Sequence, residues 1–478
     1  MTDILLVSPH QPESADILRE STGVTQPLGI GYIAAYARTR GLSAAILDND
    51  IEQLDDAAFM GRVRRLAPLC VGLSVCTSSH NTALHLARLV KSVDPGIRVL
   101  MGGVQPSTLP ELMLADPAVD YVVRGEGEET AAELILAIKN GSDPSRVRGI
   151  LYRAPGGVAR TPERPLIADI DSLPFPAYDL MPMGRYTLPA SRRLTTARAA
   201  SIATSRGCPY ACRFCSHNGI FKGTVRFRSP RSVLGEMKLL ATEFGVGEFL
   251  FWDDSFLMNK ARAMEICRLI GNELPGITWS CSSRVDHLSA KLAAGMREAG
   301  CRLVLFGVES GSEKVLEAIN KRTRLEQIRA AVRACRDNGL LSFCSFILGT
   351  PAETEETVAE TRRFVKELDP DFAIFCIFAP LPGSTFFDDF VRAGLLDVSK
   401  IDWDQSINLL SSRPPIVAAS GLSQERLVGL QKELFREFYL RPGYLWRRLK
   451  MLRSPQHLRQ NLRGFKTLVR LQLKRFNG

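Results

Sequence analysis

The chain of 478 residues is 45% hydrophobic, which is enough apolar material for two or three domains with sizeable cores. No uncharged apolar run approaches the roughly 18 residues of a membrane span, and the N-terminus lacks the basic start of a signal peptide. The net charge of +10 arises at the C-terminus, because residues 441–478 contain eleven Lys and Arg and no acidic residue. Most of the eleven cysteines stand singly in apolar segments, so we expect buried, reduced thiols and a cytoplasmic protein.

The first 150 residues alternate between short apolar strands and helices, which predicts a doubly wound parallel sheet with helices on both faces. The predicted strands cover 4–8, 43–47, 69–75, 99–102 and 121–123, and the clearest helices cover 28–39 and 81–93. Ligands of such sheets bind beyond the carboxyl ends of the strands. The corresponding segments here are rich in glycine and small polar residues, which let a backbone approach a ligand closely.

Prolines interrupt this pattern between residues 151 and 198. Pro174, Pro176 and Pro182 stand in its densest part. We therefore predict a linker over 151–198 that packs across the junction between two domains.

A second alternating series begins at residue 199. Its predicted strands cover 199–205, 248–252, 277–282, 302–308, 342–348 and 372–378, and the helices between them cover 233–244, 261–274, 290–299, 325–338 and 355–368. This series predicts a partial TIM-like (β/α)6 barrel, with its chemistry on the loops at the carboxyl ends of the strands. Beyond residue 400 the chain becomes irregular and then helical, with leucines at helical spacing and arginines between them.

Three cysteines follow the first strand of this series in a CxxxCxxC pattern: Cys208, Cys212 and Cys215. Three thiolates can hold a metal centre and leave one coordination position free, as a catalytic centre requires. The alternative is a structural Cys3His zinc site completed by His217, although a ligand two residues after Cys215 would be strained in a tetrahedral site. An iron–sulfur cluster with an open corner is the other interpretation.

Four motifs in this order resemble those of the cobalamin-dependent radical S-adenosylmethionine enzymes of the class B methyltransferase type. The cysteine triplet has the aromatic Phe214 before its last cysteine, and FWDDSF (251–256), GVESGS (307–312) and ILGTPAE (347–353) follow it. In the first half, PLGIGYIAAY (27–36), the Gly102 and Gly103 pair and GEGE (125–128) resemble the cobalamin-binding domain of this family. The resemblance covers about residues 1–400.

The residue pattern and the resemblance together predict an α/β fold with four parts. These are an N-terminal doubly wound, Rossmann-like cobalamin-binding domain (1–150), the linker, a radical S-adenosylmethionine partial barrel (199–400) and a helical, basic C-terminal extension (401–478). The resemblance also implies three cofactors: a [4Fe–4S] cluster, S-adenosylmethionine and cobalamin. The three cysteines would ligate the cluster, and an electron donor such as flavodoxin or ferredoxin would supply the electron that produces a 5′-deoxyadenosyl radical.

The expected contacts of S-adenosylmethionine come from the barrel motifs. They are Phe214, Asp253, Asp254, Arg284, Glu309, Ser310, Ile347 and Gly349. Because side chains alternate along a strand, one of Asp253 and Asp254 should point into the barrel, and the other could cap the following helix. Arg284 could bind the carboxylate of S-adenosylmethionine or form a structural salt bridge.

The expected contacts of cobalamin lie on successive strand ends of the first domain. They are Pro27, Leu28, Gly29, Ser74, Val75, Cys76, Thr77, Gly102, Gly103, Gln105, Gly125, Glu126 and Gly127. The chain lacks a DxHxxG motif, in which a histidine ligates cobalt from below, since residues 48–50 read Asp-Asn-Asp. Residues 74–77 are expected beneath the cobalt, and the lower axial ligand stays open.

The activity implied by the resemblance is methylation of an unactivated carbon of a small-molecule, natural-product or lipid substrate. A carbon without an acidic proton cannot be activated by a general base, whereas a radical can remove its hydrogen atom and methylcobalamin can supply a methyl group. A ring-forming or rearranging reaction with the same cofactors is the alternative. A methylthiotransferase is less expected, because only Cys70 and Cys76 precede the triplet, and a structural zinc protein is the remaining possibility.

The basic region over residues 441–478 has two interpretations. It could form an amphipathic helix on an anionic membrane surface, which would favour a lipid-like substrate. Alternatively, it could pack on the barrel with its arginines in solvent. Aromatic residues among the charges are few, so we expect no nucleic acid partner.

Overall fold

The first half of the chain forms one seven-stranded sheet. The computed structural model describes residues 2–10, 23–189, 192–403, 417 and 419–450. The strands are β1 (Ile4–Ser8), β2 (Ala44–Asp48), β3 (Cys70–Ser74), β4 (Arg98–Gly102), β5 (Tyr121–Val123), β6 (Ile150–Ala154) and β7 (Gly157–Arg160). Their order is β2-β1-β3-β4-β5-β6-β7, with β1 to β5 parallel and the last two antiparallel. The direction of winding reverses between β1 and β3, which marks the ligand-binding edge of such sheets.

Both faces of this sheet are buried, as the alternating pattern predicts. Ile4 and Leu6 belong to one apolar core, whereas Leu5 and Val7 belong to the other. The helices of this half are α1 (Leu28–Thr39), α2 (Asn49–Glu52), α3 (Asp56–Leu66), α4 (His80–Val93), α5 (Val104–Thr108), α6 (Pro110–Leu114) and α7 (Gly127–Lys139). The doubly wound architecture is therefore confirmed.

The segment between the two halves packs against both. The hairpin of β6 and β7 extends the first sheet to Arg160, past the expected limit at residue 150. Farther along, the side chains of Pro176 and Met181 contact α1 at Gly31. Tyr178 is buried, and its hydroxyl donates to Oε1 of Glu236 in the second half at 2.6 Å. These contacts fix the two halves relative to each other.

The second half forms a six-stranded, fully parallel sheet. Its strands are β8 (Arg198–Ile202), β11 (Val246–Phe251), β12 (Thr278–Ser283), β13 (Cys301–Glu309), β14 (Leu341–Leu348) and β15 (Phe372–Ile377), and a small ribbon of β9 (Ser205–Arg206) and β10 (Arg226–Phe227) follows β8. The order β15-β14-β13-β12-β11-β8 is sequential and does not close. The partial barrel expected from the sequence is confirmed.

Helices cover the outside of this partial barrel. In chain order the helices of this half are α8 (His217–Phe221), α9 (Pro230–Phe244), α10 (Lys260–Glu273), α11 (Ala290–Glu298), α12 (Glu313–Ala318), α13 (Leu325–Asp337), α14 (Glu355–Leu368) and α15 (Thr385–Arg392). The exception is α8, which lies beside α5 of the first half, with His217 and Phe221 lining the space between the halves. The core beneath the other helices is aromatic: Phe251 stacks on Trp279 with ring centroids 4.9 Å apart, and both are fully buried. This close packing gives the strand-end loops a rigid base.

A C-terminal helix, α16 (Gln424–Tyr439), lies against the edge strand β15. Gln431 Nε2 donates to Phe375 O and Tyr439 Oη donates to Ala373 O, each at 2.7 Å. The next helix, α17 (Pro442–Lys450), begins the basic region. There, Arg447 donates to Asp369 Oδ1 at 2.6 Å.

The start of the basic region therefore packs on the barrel through Arg447, and Tyr444 is buried beside it. Residues 451–478, the greater part of the segment considered for membrane contact, lie outside the described residues. Of the helices that the structure describes, none combines the length and apolarity needed to cross a bilayer.

Candidate active site

The carboxyl ends of strands from both halves border one shared cavity of about 480 Å³. The cavity also runs along the face of the first sheet, past Leu6 and Gly72. The predicted residues that line it are Leu28, Gly29, Ser74, Gly102, Gly103, Gly125, Glu126, Gly127, Asp253 and Asp254. The same cavity is therefore lined by residues predicted to contact cobalamin and by residues predicted to contact S-adenosylmethionine.

The glycines on the first-domain side leave space that side chains would fill. Apart from the neighbouring backbone of each glycine, no described residue would lie within 4 Å of a Cβ atom built at Gly29 or Gly125. Gly103 differs, because its φ is +110° and a Cβ there would lie 2.7 Å from the carbonyl oxygen of Val75. This side is a backbone cradle that is open towards the cavity and closely packed behind it.

The other residues predicted on this side stand behind the cradle. Pro27 precedes α1, and Val75, Cys76 and Thr77 form the buried or half-buried turn after β3. Gln105 is fully buried, and neither polar atom of its amide has a hydrogen-bond partner among the described residues. An unpaired buried polar group costs about 1–3 kcal/mol, so a partner for Gln105 would stabilise the protein.

The cysteine loop follows β8 and is held at fixed points. Gly207 has a φ of +90°, and a Cβ there would lie 2.0 Å from the carbonyl oxygen of Thr224, so only glycine fits directly before Cys208. Farther along, the side-chain amide of Asn320 donates to Ala211 O at 2.7 Å. The backbone of the loop is therefore positioned by its surroundings.

The three thiols of this loop are free and differ in burial. Cys212 is buried, whereas Cys208 and Cys215 are half-buried. Burial raises the pKa of Cys208 to about 11. Burial also raises the pKa of Cys212, although the positive charges of Lys321 and Arg284 act in the opposite direction. These two cations would stabilise an anionic centre in the loop.

His217, the candidate fourth ligand of a zinc site, contacts both Asp254 and Cys215. Its Nε2 lies 2.7 Å from Asp254 Oδ2, and its ring stacks on Phe221 with centroids 5.2 Å apart. Within the described ranges, no three His, Cys, Asp or Glu side chains gather closely enough to hold a single metal ion.

Asp253 and Asp254 make different contacts, as their neighbouring places at the end of β11 predict. Asp253 is buried and accepts hydrogen bonds from the backbone N–H groups of Thr204 and Ser205 at 2.7 and 2.8 Å. Asp254 faces His217, and Asn259 rather than either aspartate caps the following helix. Asp253 thus holds the entry to the cysteine loop.

Two more predicted residues form buried ion pairs. Arg284 donates to both carboxylate oxygens of Asp286 at 3.0 Å, which is the salt bridge considered as its alternative role. Glu309 pairs with Lys321 at 2.7 Å, and Lys321 lies 5.9 Å from the ring centre of Phe214. Glu309 also has a φ of +70°, a conformation that costs about 1–3 kcal/mol and persists only where the surroundings impose it.

The last three predicted contacts of S-adenosylmethionine serve local packing. Ser310 is fully buried, and its Oγ lies 3.1 Å from Thr361 Oγ1. Gly349 has a φ of +85°, and a Cβ there would lie 2.7 Å from Leu427 of α16. Ile347 is half-buried in β14. None of these three residues is part of the cavity lining.

Two arginines that the sequence did not single out join the halves at Glu126. Arg206 and Arg226 donate to the two carboxylate oxygens of Glu126 at 2.8 and 2.6 Å, and Arg206 also donates to Glu128 at 2.7 Å. All four side chains are 15% exposed or less. The only local signal was the position of Arg206 two residues before Cys208. Glu126 was expected to contact cobalamin, but its carboxylate binds these two arginines of the second half.

Comparison with known proteins agrees with this two-part arrangement. Residues 15–135 match the B12 binding domain, and residues 202–365 match the Radical SAM superfamily. Together with the fold, these matches define a radical S-adenosylmethionine enzyme with a cobalamin-binding domain. An uncharacterized methyltransferase from Pyrococcus horikoshii is 35% identical over 443 residues, which cover 92% of this chain and 93% of the relative.

The chain therefore belongs to the cobalamin-dependent radical S-adenosylmethionine methyltransferase family, as the motifs predict, and its cofactors are a [4Fe–4S] cluster, S-adenosylmethionine and cobalamin. The anaerobic magnesium-protoporphyrin IX monomethyl ester cyclase of Rubrivivax gelatinosus is 28% identical over 436 residues, covering 89% of this chain and 76% of that protein. The radical S-adenosylmethionine methyltransferase TsrM from Kitasatospora setae, solved with cobalamin and a [4Fe–4S] cluster, superposes with a TM-score of 0.68 at 20% identity, covering 82% of this chain and 75% of TsrM. That likeness shows the shared fold.

Proposed function

We propose that this enzyme methylates an unactivated carbon of a small molecule, a natural product or a lipid. The observation that carries the proposal is the shared cavity, because residues predicted for cobalamin and for S-adenosylmethionine line the same space. A reaction that needs a radical and a methyl donor at one carbon requires such a meeting point.

Cys208, Cys212 and Cys215 would hold the cluster. Their thiols are free, their loop is anchored, and Lys321 and Arg284 provide positive charge beside Cys212, so the residues present fit an anionic iron–sulfur centre. Three ligands leave one corner for S-adenosylmethionine.

S-adenosylmethionine would contact the predicted residues around these thiols. We assign direct contacts to Phe214, Asp254, Arg284 and Glu309, because they lie on the cavity or beside the cysteine loop. Asp253 also lines the cavity, but its carboxylate already accepts from Thr204 and Ser205. It would therefore shape the surrounding backbone, as Ser310, Ile347 and Gly349 would. Their observed contacts within the chain support this division.

Cobalamin would lie against the glycine cradle of the first domain. Gly29 and Gly125 leave open space in the cavity wall, and Gly103 lets the backbone turn tightly behind it, so these residues fit a large flat ligand. The unpaired amide of Gln105 would gain a partner from a ligand rich in amide groups. Leu28, Ser74, Gly102 and Gly127 complete the predicted lining.

When bound, the cluster and S-adenosylmethionine supply a hydrogen-abstracting carbon radical, and cobalamin supplies the methyl group. The contribution of the chain is to hold these groups and the substrate close together and to keep water away. Apolar surface makes up the larger part of the cavity lining, and Leu28 and Trp252 contribute to it. Such walls protect a radical from side reactions.

The test is anaerobic purification with hydroxocobalamin, followed by metal and corrin analysis and incubation with reductant and methyl-deuterated S-adenosylmethionine. We expect iron and sulfide, bound corrin, 5′-deoxyadenosine as a product, and a labelled methyl group on a component of a small-molecule or lipid extract. The Cys212→Ala variant should bind corrin but cleave no S-adenosylmethionine. Zinc in place of iron, or no cleavage by the intact protein, would contradict the proposal.

A ring-forming or rearranging reaction is the second candidate, because the Rubrivivax relative is named a cyclase and aligns over most of the chain. The same experiment separates the two. A product that gains the mass of a labelled methyl group supports methylation, whereas a product formed with deoxyadenosine and no such gain supports the alternative.

We further propose that a flavodoxin or ferredoxin reduces the cluster. We also propose that the chain divides into the predicted domains 1–150, 151–198, 199–400 and 401–478, with the first of them extended to Arg160 by the hairpin of β6 and β7. Contact of residues 441–478 with an anionic membrane also stays a proposal. Cosedimentation with phosphatidylglycerol vesicles tests it: the full chain should bind, and a chain ending at Leu440 should not. Equal binding by both would exclude a role for the basic region.

A further inference from the structure

One arginine in the shared cavity stands out by its surroundings. Arg192 lies on the segment that enters β8, and its guanidinium carbon is 5.6 Å from the ring centre of Trp252. Both residues line the cavity, and Trp252 is 52% exposed although it directly follows a buried strand. A half-exposed indole inside a cavity offers a flat face to a ligand.

Other cations around the cavity have acidic partners. Among the residues that line the cavity, Arg206 pairs with Glu126 and Glu128, and His217 pairs with Asp254. These charges are therefore balanced within the protein.

The positive charge of Arg192 is not balanced in this way. In the part of the chain that the structure describes, no carboxylate forms an ion pair with it. Glu248, an acid that contacts this segment, accepts hydrogen bonds from the backbone N–H groups of Leu194 and Thr195 at 2.6 and 2.9 Å. Burial without an acidic partner lowers the pKa of Arg192 to about 10, so the guanidinium remains charged at neutral pH.

We propose that Arg192, together with the face of Trp252, anchors an anionic group of the substrate, a carboxylate or a phosphate. The proposal rests on the proposed function and narrows its substrate class to molecules that carry such a group beside an unactivated carbon. A guanidinium presents two parallel N–H donors that match carboxylate and phosphate oxygens. The indole would support the flat or apolar part next to that group.

Two cofactors carry the same chemistry, since S-adenosylmethionine has a carboxylate and cobalamin has a phosphate. The experiment therefore measures three affinities in Arg192→Gln: for S-adenosylmethionine, for hydroxocobalamin, and for an anionic aromatic probe. Benzoate and phenyl phosphate serve as probes, and benzamide is the neutral match for benzoate. Calorimetry on the cobalamin-loaded, cluster-reconstituted protein provides the probe affinities.

We expect Arg192→Gln to bind benzoate and phenyl phosphate about 10- to 100-fold more weakly, as loss of a hydrogen bond to a charged group implies. Arg192→Lys should recover part of the affinity, and benzamide binding should not change. Arg193→Gln is the matched control, because Arg193 is the next residue and donates to the backbone oxygen of Thr195. It should bind every probe as the unaltered protein does.

Equal probe affinity in Arg192→Gln and the unaltered protein would overturn the proposal. Loss of affinity for S-adenosylmethionine or cobalamin, with the probes unaffected, would also overturn it and assign Arg192 to that cofactor. Cleavage of S-adenosylmethionine without substrate tests the proposed function separately. A protein that cleaves it normally but ignores the probes would leave the radical chemistry intact and remove only the anionic anchor.

Discussion

The buried ion pairs at Glu126 should decide whether the two halves stay together. In Glu126→Gln the amide keeps the shape of the side chain, but Arg226 loses its carboxylate partner while only 8% exposed. Arg206 keeps Glu128 as a second partner. Removing one member of a buried pair costs about 3–5 kcal/mol, because the remaining charge stays buried without compensation. We expect a loss of stability in that range.

Urea unfolding provides the measurement, followed both by circular dichroism and by tryptophan fluorescence. If the ion pairs hold the halves together, the two signals should separate in Glu126→Gln, and bound hydroxocobalamin should be lost at lower urea. The matched control is Glu163→Gln. Glu163 also pairs with two cations, Arg124 and Lys222, but it is 54% exposed, so its loss should cost about 1 kcal/mol or less.

The loss of stability in Glu126→Gln should be larger at neutral pH than at acidic pH. Burial acts to raise the pKa of Glu126, but hydrogen bonds from Arg226 and Arg206 outweigh it and hold that pKa below its ordinary value of 4.5. A carboxylate with a lowered pKa in the folded state stabilises the protein above its unfolded pKa, and this contribution is lost as the pH falls through the folded value. The difference between the unaltered protein and Glu126→Gln should therefore be full at neutral pH and shrink below pH 4.5. A variant that matches the unaltered protein in stability at pH 7 would refute the reasoning.

Three further predictions concern the loop and the barrel. Asp253→Ala should leave the N–H of Thr204 unpaired and buried, so the folded protein should take up markedly less iron on reconstitution, as iron analysis would show; normal iron content would contradict this. Gly207→Ala should place a Cβ 2.0 Å from the carbonyl oxygen of Thr224 at a φ of +90°, and we expect thermal unfolding several degrees lower together with loss of the cluster. Burial raises the pKa of Glu353 to about 7, so its contribution to stability should be full below pH 4.5 and lost as the pH rises through 7. In Glu353→Gln the midpoint of thermal unfolding should vary less between pH 4.5 and pH 7 than it does in the unaltered protein. The same pH dependence in both proteins would argue against a buried acid.

The strands were predictable because buried parallel strands are continuous apolar runs that end in polar loops. The prediction of 342–348 and the observed Leu341–Leu348 differ by one residue. The hairpin of β6 and β7 was not predicted as part of the first sheet, since its second strand is mostly exposed and carries no apolar run.

The site was predictable where a short motif carries its own chemistry, as in the cysteine triplet. It was not predictable where two distant segments meet. Asp253 binds Thr204, which is 49 residues earlier in the chain, and Arg206 binds Glu126 across 80 residues. Neither pair leaves a periodic or local signal, and a charged residue near a motif is as consistent with an exposed position as with a buried pair.

The helix α16 has a consequence for how the chain can be shortened. A sheet that stops at six strands ends in a row of backbone donors and acceptors that would otherwise be available to a strand from a second molecule. Gln431 and Tyr439 occupy that row on β15, so α16 serves as the missing neighbour of the last strand. A chain that ends before Gln424 would leave the backbone of the edge strand β15 exposed, so it should self-associate. A chain that ends after Leu440 keeps α16 against that strand and should not.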